Sequence, residues 1–148
     1  PRVDVLPGQI RQVFQNIFSN ALKFSKPNEP AFISIGADTV QEKHIESPID
    51  ENGQWVRICI RDNGIGFNEK YLPKIFTIFQ RLHTRKEYDG TGIGLAICKK
   101  IVEKHGGLIT AKSQENEGST FIIVLPLIQK SPLSNGKAAI DAFTSSKQ

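Results

Sequence analysis

Residues 62–67, DNGIGF, set a carboxylate and two glycines at the end of an alternating apolar run. Residues 90–95, GTGIGL, set three further glycines at the head of an amphipathic one. An ionised aspartate only accepts hydrogen bonds, so Asp62 can hold the amino group of a base such as adenine without covalent chemistry. Gly64 and Gly66 allow the backbone to turn tightly beside that base. Gly90, Gly92 and Gly94 enclose Thr91 and Ile93 and offer unhindered backbone donors near a helix start, where phosphate oxygens can be held. Between the two runs lies residues 80–89, QRLHTRKEYD, basic and poor in apolar anchors. This segment could close over a triphosphate, with Arg81 or Arg85 reaching the terminal phosphate. Upstream, Asn16 and Asn20 stand one helical turn apart, with Lys23 near their face. Their amide oxygens can coordinate Mg²⁺ and leave room for phosphate and water, and the lysine adds a point charge. The chemistry indicated is phosphoryl transfer from a nucleotide, which requires positioning and charge more than a protein nucleophile.

Each signal alone has a structural alternative: a solvated helix face, an Asx turn ending a strand, an ordinary glycine turn, a charged surface loop. Neither glycine run matches Gly-x-x-x-x-Gly-Lys-Ser/Thr or the dinucleotide-binding spacing. Ser19, Ser25, Ser113 and Ser119 have no readable relation to a His/Asp pair. Cys59 and Cys98 sit singly in apolar runs and read as small core residues. His44 and His105 lack partners at metal-site spacing, and His83 belongs with the basic loop.

A net charge of +4, from 19 Lys and Arg against 15 Asp and Glu, suits attraction to a polyphosphate. No basic stripe with interleaved aromatics supports nucleic-acid binding. No stretch approaches the length of a membrane span, so direct membrane insertion is not expected. The chain starts at Pro1 and contains no methionine, which reads as a piece of a longer protein.

Residues 7–24 carry Ile10, Val13, Phe14, Ile17, Ala21 and Phe24 at three- and four-residue steps, predicting a helix with Pro7 in its first turn. A strand is expected over 31–40, then a polar hairpin-like connection or surface insertion over 41–53. In 55–61, Val56, Ile58 and Ile60 alternate with Trp55, Arg57, Cys59 and Arg61 and should face the core. A short helix is expected over 69–75, with Phe76 and Phe79 packing at the base of the loop. A longer helix over 93–104 places Ile93, Ile97, Cys98, Ile101 and Val102 on one side and ends at Gly106. Residues 108–112 and 119–127 read as a hairpin, and the pattern stops after Ile128. The expected domain is 1–128, followed by a linker or weakly ordered tail over 129–148. Two strand pairs joined without crossover helices favour an α+β sandwich: a mixed, largely antiparallel sheet with helices on one face.

Together these motifs resemble the ATP-binding catalytic domain of bacterial sensor histidine kinases, within the wider family that includes gyrase and MutL ATPases. Residues 12–25, QVFQNIFSNALKFS, resemble its N box, and residues 62–67 its G1 box. Residues 75–79 with Arg81 resemble its F box, residues 90–97 its G2 box, and residues 118–127, GSTFIIVLPL, its terminal strand. The wording of 81–88 and 98–107 is similar to kinases coupled to phytochrome or PAS-type sensors. The resemblance implies a Bergerat-type ATP-binding fold with ATP between sheet and helices. It implies Asn20 as the Mg²⁺ ligand, Asn16 in the surrounding polar network, and Lys23 and Arg81 at the phosphates. Asp62, Gly64 and Gly66 would form the base pocket, Gly90, Thr91, Gly92, Gly94 and Leu95 the phosphate side, and Thr120 an adenine-side contact. Gyrase-like members carry a glutamate where Asn16 stands, and a neutral amide is a poor general base, which favours transfer over hydrolysis.

By the same resemblance, the partners are a histidine-bearing dimerisation domain of the same kinase and, through it, a response-regulator receiver domain. The surroundings of His44, His83 and His105 do not resemble a phosphoacceptor motif. A cytoplasmic location is implied for the domain. Two other readings share the fold: an anti-sigma-type serine kinase and a regulatory module that binds nucleotide without catalysis.

Overall fold

A computed structural model of the chain describes residues 1–77 and 94–129. The elements run α1 (Pro7–Lys23), β1 (Ile33–Val40), β2 (Trp55–Asp62), a 3₁₀ turn (Glu69–Tyr71), α2 (Leu72–Ile75), α3 (Gly94–Lys104), β3 (Leu108–Gln114) and β4 (Gly118–Pro126). The strands form a sheet in the order β1-β2-β4-β3. Every ladder among the described residues is antiparallel, so the expected parallel component of a mixed sheet does not occur there.

The periodicities account for the layers. Val13 and Ile17 of α1, and Cys98, Ile101 and Val102 of α3, fall at helical spacing and bury against Val56, Ile60, Ile109, Phe121, Ile123 and Leu125 of the sheet. Ile58 joins them only partly buried. The Phe76 ring meets Phe121 edge-on at 6.4 Å, seating the end of α2 on β4. Pro7 starts α1 without a side-chain cap, as its missing N–H permits. Gly106 ends α3 in the left-handed conformation at φ 78°.

The second face of the sheet is also covered in part. Residues 41–53 form no paired strand; they fold back across it, touching the ladder at a single bridge, Val40 with Ile49. Arg57 holds them there by donating to the carbonyls of Ile45 (2.8 Å) and Ser47 (2.9 Å) while pairing with Asp38 at 3.1 Å. Lys112 of β3 meets Glu46 at 2.8 Å. In consequence Ile122 and Val124, which point away from the helices, are buried as deeply as Phe121 and Ile123. Cys59, expected in the core, lies half-buried on this second face.

His105 is fully buried at the end of α3. Its Nε2 accepts the Leu6 N–H (3.1 Å), which leaves Nδ1 to donate to the Ile101 carbonyl (2.7 Å). Both ring nitrogens are thereby used within the fold, and the side chain joins the segment before α1 to the last turn of α3.

Candidate functional site

Asp62 is the last residue of β2. Counting alternate faces from Val56 and Ile60 sets its side chain on the helix side of the sheet. Its Oδ1 accepts two backbone N–H groups, from Gly64 at 2.9 Å and from Ser119 at 3.2 Å. Among the described residues its Oδ2 has no partner. Burial pushes the Asp62 carboxyl above the ordinary aspartate range, and the two N–H groups hold it partly back. The result is a fixed, half-buried carboxylate with one acceptor oxygen uncommitted.

The glycines after it have steric causes. A Cβ on Gly64 would lie 2.5 Å from the Phe24 carbonyl, because the loop passes directly beneath the end of α1, where the Ile65 N–H donates to that same carbonyl at 2.8 Å. Gly66 takes φ 63°, and a Cβ there would strike the Gln114 carbonyl. The Asn116 N–H bonds the Ile65 carbonyl at 2.7 Å, tying the loop to the β3–β4 turn. Asn63 secures the lead-in to β1, accepting from Phe32 N–H (2.8 Å) and donating to the Pro30 carbonyl (3.1 Å). It supports the turn rather than a ligand.

On α1, the Asn16 amide donates to the Gly94 carbonyl at 3.1 Å, joining this helix to the first residue of α3. Asn20, one turn on, is half-buried and has no side-chain hydrogen bond among the described residues. Lys23 is exposed in the last turn, where its charge favours the helix end. At Gly94, a Cβ would meet only the Asn16 side chain at 3.8 Å, an ordinary contact, so these neighbours do not explain the glycine. Leu95 packs half-buried against the core. Arg81, Gly90, Thr91, Gly92, Ile93 and Phe79 lie outside the described residues, as do the basic lid expected over 80–91 and the expected tail from 130 onward.

Thr120 stands apart from Asp62 in the sheet. It pairs with Arg61, and both lie on the face away from the helices, whereas Phe121 and Ile60 face them. The neighbour that shares the Asp62 face is Ser119, whose backbone N–H reaches the carboxylate. Alternation along β4 should reveal this, but residues 121–125 are apolar on both faces, which conceals the register.

Among the described residues no cluster of His, Cys, Asp and Glu could hold a metal ion. No helix of those residues is long and apolar enough to cross a membrane. The sequence matches the family described as histidine kinase-, DNA gyrase B-, and HSP90-like ATPase over residues 6–129. It is 46% identical over 129 residues to cyanobacterial phytochrome A of Nostoc sp., covering 86% of this chain and 15% of that protein. It is 40% identical over 139 residues to histidine kinase 5 of Arabidopsis thaliana, covering 83% of this chain and 14% of that protein. The chain thus spans about a seventh of the length of these relatives. Among solved structures, the catalytic domain of histidine kinase ThkA superposes with TM-score 0.63 at 31% identity, over 84% of this chain and 70% of that one.

Proposed function

The chain belongs to the histidine kinase-, DNA gyrase B-, and HSP90-like ATPase family, homologous to the ATP-binding catalytic domains of sensor histidine kinases, and we propose that it presents ATP to a histidine on a separate dimerisation domain. The observation that carries this reading is Asp62, with one oxygen pinned by two backbone donors and the other uncommitted. An adenine amino group supplies the donor that this oxygen lacks, and a guanine carbonyl would oppose it.

Asn20 fits a magnesium role, since its amide is half-buried and unengaged among the described residues and neutral oxygens suit a hard cation that keeps its waters. When bound, Mg²⁺ would neutralise phosphate charge. Lys23, one turn closer to the helix end, adds a cation, and Arg81 remains the candidate for the terminal phosphate. Asn16 stands where a general base would be needed for hydrolysis, and its N–H is committed to Gly94. A neutral donor there cannot activate water, so the phosphoryl group is reserved for an external nucleophile. In this reading the acceptor histidine lies on the dimerisation domain of the same kinase, at the cytoplasmic side, and a response-regulator aspartate receives the group afterwards. The naming of the relatives as histidine kinases favours this over a serine kinase of the anti-sigma type.

Calorimetric titration with Mg-ATP and Mg-GTP, followed by transfer to a supplied histidine-bearing domain, tests the reading. Adenine-selective binding with transfer is expected. Asn20→Ala should fold normally yet lose most transfer; normal transfer by that variant would remove its metal role, and equal binding of both nucleotides would sink the base-reading one.

A further inference from the structure

Ser113 of β3 is a junction between three segments around Asp62. Its N–H donates to Glu69 at 2.9 Å. Its Oγ is within hydrogen-bond distance of the Phe67 N–H (2.8 Å), the Gly118 carbonyl (2.9 Å) and the Ser119 hydroxyl (2.9 Å). A serine hydroxyl has one proton and two lone pairs, so only one assignment uses all three contacts. Phe67 N–H can only donate and Gly118 C=O can only accept. Ser113 therefore gives its proton to Gly118, accepts from Phe67, and must accept from Ser119 as well. The Ser119 proton points at Ser113, and the Ser119 oxygen keeps only lone pairs for its other side.

Ser119 shares the helix-side face with Asp62, and its own N–H is bound to Asp62 Oδ1. Two polar atoms at this end of the sheet, Asp62 Oδ2 and Ser119 Oγ, thus present acceptors only. We propose that Ser113 is a specificity-determining positioning residue: by accepting the Ser119 hydrogen bond, it leaves only acceptors to face position 6 of the base and so favours a 6-amino over a 6-oxo purine. The proposal rests on the nucleotide-binding reading of this site. Ser113 itself touches no ligand. Without its hydroxyl, the Ser119 proton is free to turn and donate to a 6-oxo group, such as that of inosine nucleotides.

The test is calorimetric binding of Mg-ATP and Mg-ITP to the full chain and to Ser113→Ala, Ser119→Ala, the double variant and Ser113→Thr. The preference for ATP should be greatest in the unaltered chain and in Ser113→Thr, which restores the hydroxyl. It should be intermediate in Ser119→Ala, which has neither acceptor nor donor, and lowest in Ser113→Ala, by about three- to tenfold. The double variant should match Ser119→Ala, because no hydroxyl remains to turn. If Ser113→Ala weakens both nucleotides by one factor, its role is structural support and the proposal is overturned. Should Ser113→Ala fail to fold, an unchanged preference in Ser119→Ala overturns it equally. An unaltered chain that binds neither nucleotide would instead bring down the reading of the whole site.

Discussion

Asp62→Asn separates the cost of a group to the fold from its value to the ligand. Burial raises the Asp62 carboxyl, so ionising it is harder in the folded chain than in the unfolded one. Its contribution to stability is then fully present below the ordinary aspartate range and is lost as pH rises through the raised value. At neutral pH the charged group works against the apo fold. An asparagine keeps an oxygen for the Gly64 and Ser119 N–H groups and removes that charge, so the apo melting temperature should be unchanged or higher. The ligand feels the opposite effect. In place of Oδ2 the amide sets an N–H donor against the adenine amino group, and the lost charge-assisted hydrogen bond amounts to about 1.5–3 kcal/mol, or about 10- to 150-fold in ATP affinity. Inosine nucleotides, with an acceptor at that position, should lose less or gain. ATP affinity of the unaltered chain should also fall on acidification, with a midpoint above the ordinary aspartate range. Thermal melts with paired ATP and ITP titrations are the assay. A drop of several degrees in the apo melt, or equal losses for the two nucleotides, would refute the reasoning.

Gly66→Ala should cost about 2–3 kcal/mol and about 5–10 °C in the melt, since its φ of 63° and the Gln114 carbonyl both oppose a side chain. Gly8→Ala, with open space around it, is the control and should leave the melt nearly unchanged. His105→Ala should cost about 2–4 kcal/mol in urea denaturation, because it opens a fully buried site and strands the Leu6 N–H. Burial pushes the Cys98 thiol up to about 11, so a thiol reagent at neutral pH should label half-buried Cys59 first and Cys98 only on unfolding, as read by mass spectrometry.

What could be read from sequence was what repeats locally. The 3.6-residue period drew α1 and α3 nearly to their ends, and the alternation at 56–60 drew β2. The aspartate–glycine loop announced itself because the φ of Gly66 and the carbonyl contact at Gly64 leave little choice of residue. Contacts remote in sequence had no such signature. Residues 41–53 are polar and read as a connection, but their place across the sheet depends on Arg57 reaching two carbonyls and Lys112 reaching Glu46, 66 positions away. That covering also hides the register around Thr120. Because the segment buries Ile122 and Val124, β4 is apolar on both faces, and a strand buried on both faces loses the alternation that would assign Ser119 to the site. The hydrogen-bond partner of His105 is hidden in the same way: its acceptor nitrogen serves a residue 99 positions earlier.

The joint at His105 gathers more than two segments. Gln129 Nε2 donates to the His105 carbonyl at 2.8 Å, the Asp4 N–H donates to Leu127, and the Gln129 N–H approaches Asp4 Oδ2. Residues 4–6 and 127–129 therefore lie side by side, at one corner, against the final turn of α3. The opposite end of that helix, Gly94, is held to Asn16. With about 1.5 Å of rise per residue, the 11 residues of α3 make a rigid arm of roughly 16 Å from corner to site. A rigid-body turn of the whole domain by roughly 30° about that corner would carry the Asn16 end through an arc of about 8 Å. A small torque on the two hydrogen-bonded segments at the corner thus becomes a large stroke at the Asn16 end of α3, the gearing of a crank.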